Sequence, residues 1–310
     1  MSGGEYVSSL ARRIRELSRA RRAVILAHNY QLPEVQDIAD FVGDSLQLAR
    51  KAMEVDADVI VFAGVSFMAE TAAALNPDKL VLHPNPASGC PLADYLTPQM
   101  VREYRRACPG APVVVYVNSV IGAKAEADYV VTSSSAGKLI SRLGVETVVF
   151  GPDKNLAEHA AAEAGVEVIK APPYGHCPVH EYLLHAYYVR KALETHPKAK
   201  LIAHPETPRE VRSMAFRVGS TAQMLKALGE VEGDEFILAT EEGLTYRARK
   251  LYPGKRVYPA NPQAICIDMK KITLHHILKA LETLKPAVKL DPQVGRRARE
   301  VIEESLKLLK

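Results

Sequence analysis

Short runs of Val, Ile, Leu and Ala, each closed by His, Asn, Pro or Gly, alternate along the chain with stretches whose apolar residues fall three and four apart. The runs AVILAHNY (23–30), APVVVYVNS (111–119) and AKLIAHPE (199–206) are brief and almost wholly apolar, the pattern of buried parallel strands. A shorter strand pattern follows each of them, at FVG, YVVT and FRVG. Next comes a helical pattern opening at a hydroxyl residue, from Ser45, Ser133 and Thr221, and then a third strand at VIVFAG, TVVFG and FILAT. A further helix leads to a fourth strand at KLVLHP, VEVIK and RVYPA. Strands alternating with helices imply βαβ crossovers and a parallel sheet covered on both faces. The residues before the first strand read as an amphipathic helix. Residues 273–310 read as helices that cover an edge or pack back on the first domain.

The same pattern is written three times. His28, Tyr116 and His204 are separated by steps of 88 residues, as are Ser45, Ser133 and Thr221, while Cys90, Cys177 and Cys266 follow at steps of 87 and 89. A fixed period marks a repeated supersecondary unit. The expected fold class is therefore α/β, with three pseudo-threefold-related three-layer αβα sandwich domains over 1–96, 97–184 and 185–272, each with a small parallel sheet. In such sheets ligands sit beyond the carboxyl ends of the strands, which places the active site at the common interface of the three domains.

Composition narrows the function. Lys and Arg number 40 against 36 Asp and Glu, a net charge of +4, too mild to argue for nucleic acid. No apolar run is long enough to span a membrane, and the N-terminal stretch lacks the apolar segment of a secretory signal. Four cysteines in 310 residues do not make a disulfide scaffold, and a reducing, cytoplasmic compartment is the expectation. Cys108 falls outside the register and reads as a free thiol at a helix end.

Three constellations carry chemistry. Three lone cysteines nearly 90 residues apart do not match the closely paired ligands of structural zinc. They suit an iron–sulfur cluster, whose usual ligands are thiolates, although a zinc site or three small buried residues remain open readings. A cubane cluster with three protein ligands leaves one iron open to act as a Lewis acid. Ser45, Ser133 and Thr221 read individually as helix caps; at matched positions facing one cavity they point to anion binding by helix N-termini. The third set pairs each strand-end residue with a polar residue two further on: His28 with Tyr30, Tyr116 with Asn118, His204 with Glu206. Histidine can hold anions or move protons. Glu206, acidic among anion-binding groups, suits proton transfer better than binding, the alternative being a cap for the helix after it. His180, three residues after Cys177, is within reach of the same cavity. His83 and His176 are weaker candidates, equally explained by local hydrogen bonds.

At this point the chain becomes recognisable. AHNYQ (27–31), GDS (43–45), FMAETA (67–72), GCPLAD (89–94), YVNS (116–119), TSSS (132–135), GHCPVH (175–180), HPE (204–206), GST (219–221) and CIDMKKITL (266–274) together resemble the quinolinate synthase family over about residues 23–280. The resemblance implies a [4Fe-4S] cluster on Cys90, Cys177 and Cys266. It implies condensation of iminoaspartate with dihydroxyacetone phosphate to quinolinate, phosphate and water, a step of NAD biosynthesis, and a functional link to an enzyme supplying iminoaspartate. His28, Ser45, Ser133, His204, Ser220 and Thr221 match substrate-binding positions; Tyr30, Tyr116, Asn118, His180 and Glu206 match the catalytic set. Some members carry extra cysteines, two residues apart, as a proposed redox switch. Ala260, Gln263 and Met269 stand there in this chain, so that switch should be absent. Two other classes stay open: a different [4Fe-4S]-dependent hydro-lyase acting on a small hydroxy acid, and a non-catalytic metal- or phosphosugar-binding module.

Overall fold

The structure is a computed structural model that describes residues 3–309. It contains three four-stranded sheets. The first is built from β1 (Ala23–His28), β2 (Phe41–Gly43), β3 (Val59–Ala63) and β4 (Leu80–Leu82). The second is built from β5 (Val113–Tyr116), β6 (Tyr129–Val131), β7 (Thr147–Gly151) and β8 (Glu167–Lys170), and the third from β9 (Lys200–Ala203), β10 (Arg217–Val218), β11 (Glu235–Ala239) and β12 (Arg256–Pro259). The spatial orders are β2-β1-β3-β4, β6-β5-β7-β8 and β10-β9-β11-β12. All pairings within these sheets are parallel. Each connection carries a helix, and helices cover both faces of each sheet. The α/β class and the three small parallel sheets are thus as the sequence pattern predicts.

The strand order locates the chemistry. From its first strand each chain segment moves outward to the second, then returns past the first to reach the third. The connections therefore diverge at the carboxyl end of the first strand, the place where open α/β sheets bind ligands. His28 and Tyr116 are the last residues of β1 and β5, and His204 directly follows β9.

By contact density the chain divides into two compact units. One holds the first sheet, up to Cys90, together with Cys266–Gly295; the other holds the second and third sheets, Pro91–Ile265, together with the residues from Arg296 onward. The first unit's core joins Ile14 of the N-terminal helix Gly3–Ala20, Ile25 and Val61 of the sheet, and Ile277 and Leu281 of the helix Leu274–Thr283. Residues 273–310 divide between the two units. The helix Pro292–Leu308 runs on into the second unit, where Ser305 Oγ accepts the Val130 N–H at 2.9 Å and Lys138 Nζ bonds the Leu309 carbonyl at 3.1 Å. Ser305 thereby satisfies a buried backbone donor of β6 that would otherwise be costly.

Candidate active site

The second unit gathers four of the sequence-predicted residues, Tyr116, Asn118, His180 and His204, around the carboxylate of a fifth. Glu206 is 3% exposed. Its Oε1 accepts hydrogen bonds from Tyr116 Oη at 2.7 Å and Asn118 Nδ2 at 3.3 Å, and His180 Nδ1 lies 2.9 Å from Oε2. His180 and His204 stack, with ring centroids 4.8 Å apart. The other nitrogen of His180, Nε2, is 3.0 Å from Thr240 Oγ1. The helix Arg209–Met214 has Pro208 at its N-cap position, so Glu206 is no helix cap.

Burial alone would raise the Glu206 pKa. The charges of His180 and His204, with hydrogen bonds from His180 and Tyr116, outweigh burial and hold it at about 2. A carboxylate this acidic is a poor general base near neutral pH, because proton transfer works best when the pKa lies near the working pH. Glu206 Oε2 and Thr240 Oγ1 lie against the two ring nitrogens of His180 and together fix its orientation.

The polar residues two places beyond His28 and His204 sit in turns. The strands do not continue. Gln31 N–H bonds the His28 carbonyl and Thr207 N–H bonds the His204 carbonyl, each at 3.0 Å, so the chain turns. Within each turn the N–H two residues on donates to the histidine, Tyr30 to His28 Nδ1 at 3.2 Å and Glu206 to His204 Nδ1 at 3.3 Å. In the neutral form of either ring, this contact leaves the proton to Nε2.

Around the carboxylate lies scaffolding that sequence reasoning missed. His180 and Glu181 belong to a single turn of π-helix, Val179–Leu183, a form found mostly at functional sites. Asn155, at the start of the helix Lys154–Ala164, donates from Nδ2 both to the Glu206 carbonyl at 3.0 Å and to Glu181 Oε2 at 2.8 Å. Lys154 Nζ holds the other Glu181 oxygen at 2.7 Å. Asp153 caps the same helix through Leu156 N–H at 2.7 Å and accepts Cys177 N–H at 3.2 Å. Burial, and then the charge of Glu206, push the Asp153 pKa well up. The repeat register could have found this residue: positions 65, 153 and 241 are again 88 apart, and two of them, Asp153 and Glu241, are buried acids.

The hydroxyl set is placed differently from expectation. Asp44, not Ser45, caps the helix Ser45–Glu54, in a reciprocal pair with Gln47; Ser220, not Thr221, caps Thr221–Glu230, paired with Gln223. Ser45 and Thr221 are the first helical residues, while Ser133 precedes the helix Ala136–Leu143 in a turn closed by Thr132 and Ser135. In the first unit, His28 and Tyr30 meet edge to face, centroids 4.5 Å apart, and Lys270 Nζ bonds the Tyr30 carbonyl at 2.7 Å. His83 Nε2 is 2.9 Å from the Gly64 carbonyl and His176 Nδ1 is 2.7 Å from the Tyr174 carbonyl, both local contacts.

Cys90, Cys177 and Cys266 are half-buried and in no disulfide. Each stands in the loop after the fourth strand of its sheet and at the start of a short helix: Pro91–Asp94, Val179–Leu183 and Ile267–Lys270. Thiols outside disulfides are the donor type that an iron–sulfur centre takes. Cys108 is instead the C-terminal cap of the helix Pro98–Ala107. Among the described residues no helix is long and apolar enough to cross a membrane.

Fold and site together define an α/β protein of three small parallel sheets with a buried carboxylate–histidine site and three cysteines at matched loop positions. A family model described as "Quinolinate synthetase A protein" matches residues 12–307. Proteins named "Quinolinate synthase" are similar over nearly their whole length. That of Pyrococcus furiosus is 48% identical over 98% of this chain and 99% of its own, that of Pyrococcus horikoshii 50% over 97% and 99%, and that of Thermotoga maritima 45% over 96% and 98%. The chain belongs to the quinolinate synthase family.

Proposed function

We propose that this chain condenses iminoaspartate with dihydroxyacetone phosphate to form quinolinate, phosphate and water, using a [4Fe-4S] cluster held by Cys90, Cys177 and Cys266. The observation that carries the reading is the buried Glu206 carboxylate, bound by Tyr116, Asn118 and His180 at the carboxyl ends of β5 and β9. When bound, the cluster supplies a Lewis-acidic iron that polarises an oxygen of the substrate. The chain's own residues do the remainder. His180, oriented by Glu206 and Thr240, gives and takes the protons of imine formation and dehydration. Tyr116 Oη and Tyr30 Oη are further proton donors. His28, His204, Ser45, Ser133, Ser220 and Thr221 bind the carboxylates and phosphate, with hydroxyls and N–H donors at helix starts. The reaction exchanges no net electrons, so acid–base groups and anion binding suffice beside the Lewis acid.

The test is anaerobic turnover with both substrates, following quinolinate and phosphate together. Phosphate release separates this reaction from hydro-lyase chemistry on a hydroxy acid. Glu206→Gln keeps the shape and removes the charge that supports His180. It should lower kcat by about 10²–10⁴-fold, the usual share of a positioned acid–base group, with the cluster spectrum unchanged. Near-wild-type turnover in that variant would remove Glu206 from the mechanism.

A further inference from the structure

Cys177, His180 and Glu206 each offer a donor atom, and the three atoms lie within 4.8 Å of one another. Sulfur, imidazole nitrogen and carboxylate oxygen are the donors zinc prefers. At zinc's bond lengths a tetrahedron sets them about 3.3–3.8 Å apart, so side-chain movement of ~1 Å would close the set. The groups behind the donors are in place as well. His180 Nε2 faces Thr240 Oγ1 and Glu206 Oε1 is held by Tyr116 and Asn118, so Nδ1 and Oε2 face each other at 2.9 Å and an ion would enter between them; the Cys177 backbone is fixed by Asp153. Outer hydrogen bonds of this kind orient metal ligands and sharpen affinity. His180 and Glu206 are 2% and 3% exposed, so a bound ion would be shielded from water on that side.

We infer that the cluster-free chain carries a second, mononuclear metal site for zinc-like divalent ions, made by Cys177, His180 and Glu206. It needs neither Cys90 nor Cys266. The fourth position of the ion is left to water. An ion held there withdraws His180 from proton transfer and Glu206 from supporting it. On the cluster reading above, which this consequence rests on, it also occupies one of the three cluster thiols. Zinc and the cluster are then mutually exclusive, and zinc-loaded chain is inactive and resists cluster assembly until the ion is removed.

The probe is cobalt(II), which takes zinc's ligands and reports them by absorption. Titration of full-length, cluster-free protein should give one cobalt per chain, a sulfur-to-metal charge-transfer band and the intense visible bands of four-coordinate cobalt, all displaced by zinc. Cys177→Ser should abolish the sulfur band, and Glu206→Gln should weaken binding at least tenfold. Thr240→Val, which touches only the outer hydrogen bond, should weaken it about 10–100-fold. Cys90→Ser and Cys266→Ser should bind cobalt as the parent does. Circular dichroism of each variant separates lost ligands from lost fold. Cobalt bound without the sulfur band, or a band lost equally in Cys90→Ser, overturns the inference. Anaerobic reconstitution with iron and sulfide tests the cluster separately. A chain that builds a cluster but gives no cobalt–sulfur band refutes the zinc site alone, and the converse refutes the cluster alone.

Discussion

At the scale of single residues the site turns on where one negative charge is kept. Glu206 is depressed from an ordinary 4.5 to about 2, so the folded chain binds its proton less well than the unfolded chain does. Stability from this group is therefore present above about pH 4.5 and is lost as pH falls toward 2. Asp153, pushed the other way, works against it over acid pH. Denaturant midpoints of the parent and of Glu206→Gln should accordingly converge as pH is lowered through that window. A constant gap would show that the pair makes no pH-dependent contribution. The hydroxyls allow a second separation. Ser220 caps its helix while Thr221 follows it. Ser220→Ala should cost about 1 kcal/mol of folding stability, whereas Thr221→Ala should leave stability intact and raise KM for the anionic substrates. Thermal melts and kinetics on the same two variants decide the matter. The residue-level reading of the sequence was right about which positions face the strand ends, because the 88-residue register marks them. It misplaced the caps by one to two residues, since Asp44 and Ser45, or Ser220 and Thr221, are neighbouring cap formers that periodicity cannot rank.

Among elements, the strands were legible because each apolar run is bounded by His, Asn, Pro or Gly. All twelve predicted strands are present in the structure, in parallel sheets. The π-turn was not legible: VHEYL carries no composition that separates five-residue from four-residue spacing, and only its packing selects it. Nor was the role of the helix Lys154–Ala164. Its first residues bind the backbone of Cys177, the side chain of Glu181 and the carbonyl of Glu206. The ring of contacts closes through His180, so the angle between imidazole and carboxylate is set from this helix start. Asn155→Ala strips a donor from one buried and one part-buried acceptor. It should cost about 1–3 kcal/mol of stability and lower kcat more than it changes KM. An unchanged kcat in folded variant would reduce Asn155 to a purely structural residue. The loop before Cys177 is equally constrained, because a methyl group at Gly151 or Gly175 would collide with the carbonyls of Ala171 or Pro152.

For the whole molecule, three matched loops each present one thiol, and the fourth cysteine caps a helix elsewhere. Cys90→Ala, Cys177→Ala and Cys266→Ala should each prevent the anaerobic chain from retaining about four irons, the content of a cubane cluster, while Cys108→Ala retains them. Iron and sulfide analysis beside the visible spectrum checks this, and equal loss in the Cys108 variant would undo the argument from register. The long-range organisation was only partly legible. The helices after residue 272 lie outside the repeat, and nothing in their amphipathic pattern says which sheet their apolar faces cover.

The route of those last helices also imposes an order in time. Ile277 and Leu281 complete the core around Ile25 and Val61, and Ser305 accepts the Val130 N–H of β6. On the ribosome, the last strand of the first sheet is made about 190 residues before the helix that covers it, roughly 10–40 s at ordinary elongation rates. The earliest strands thus wait longest for their cover, and over that interval one apolar face of the sheet is open to water and to chaperones.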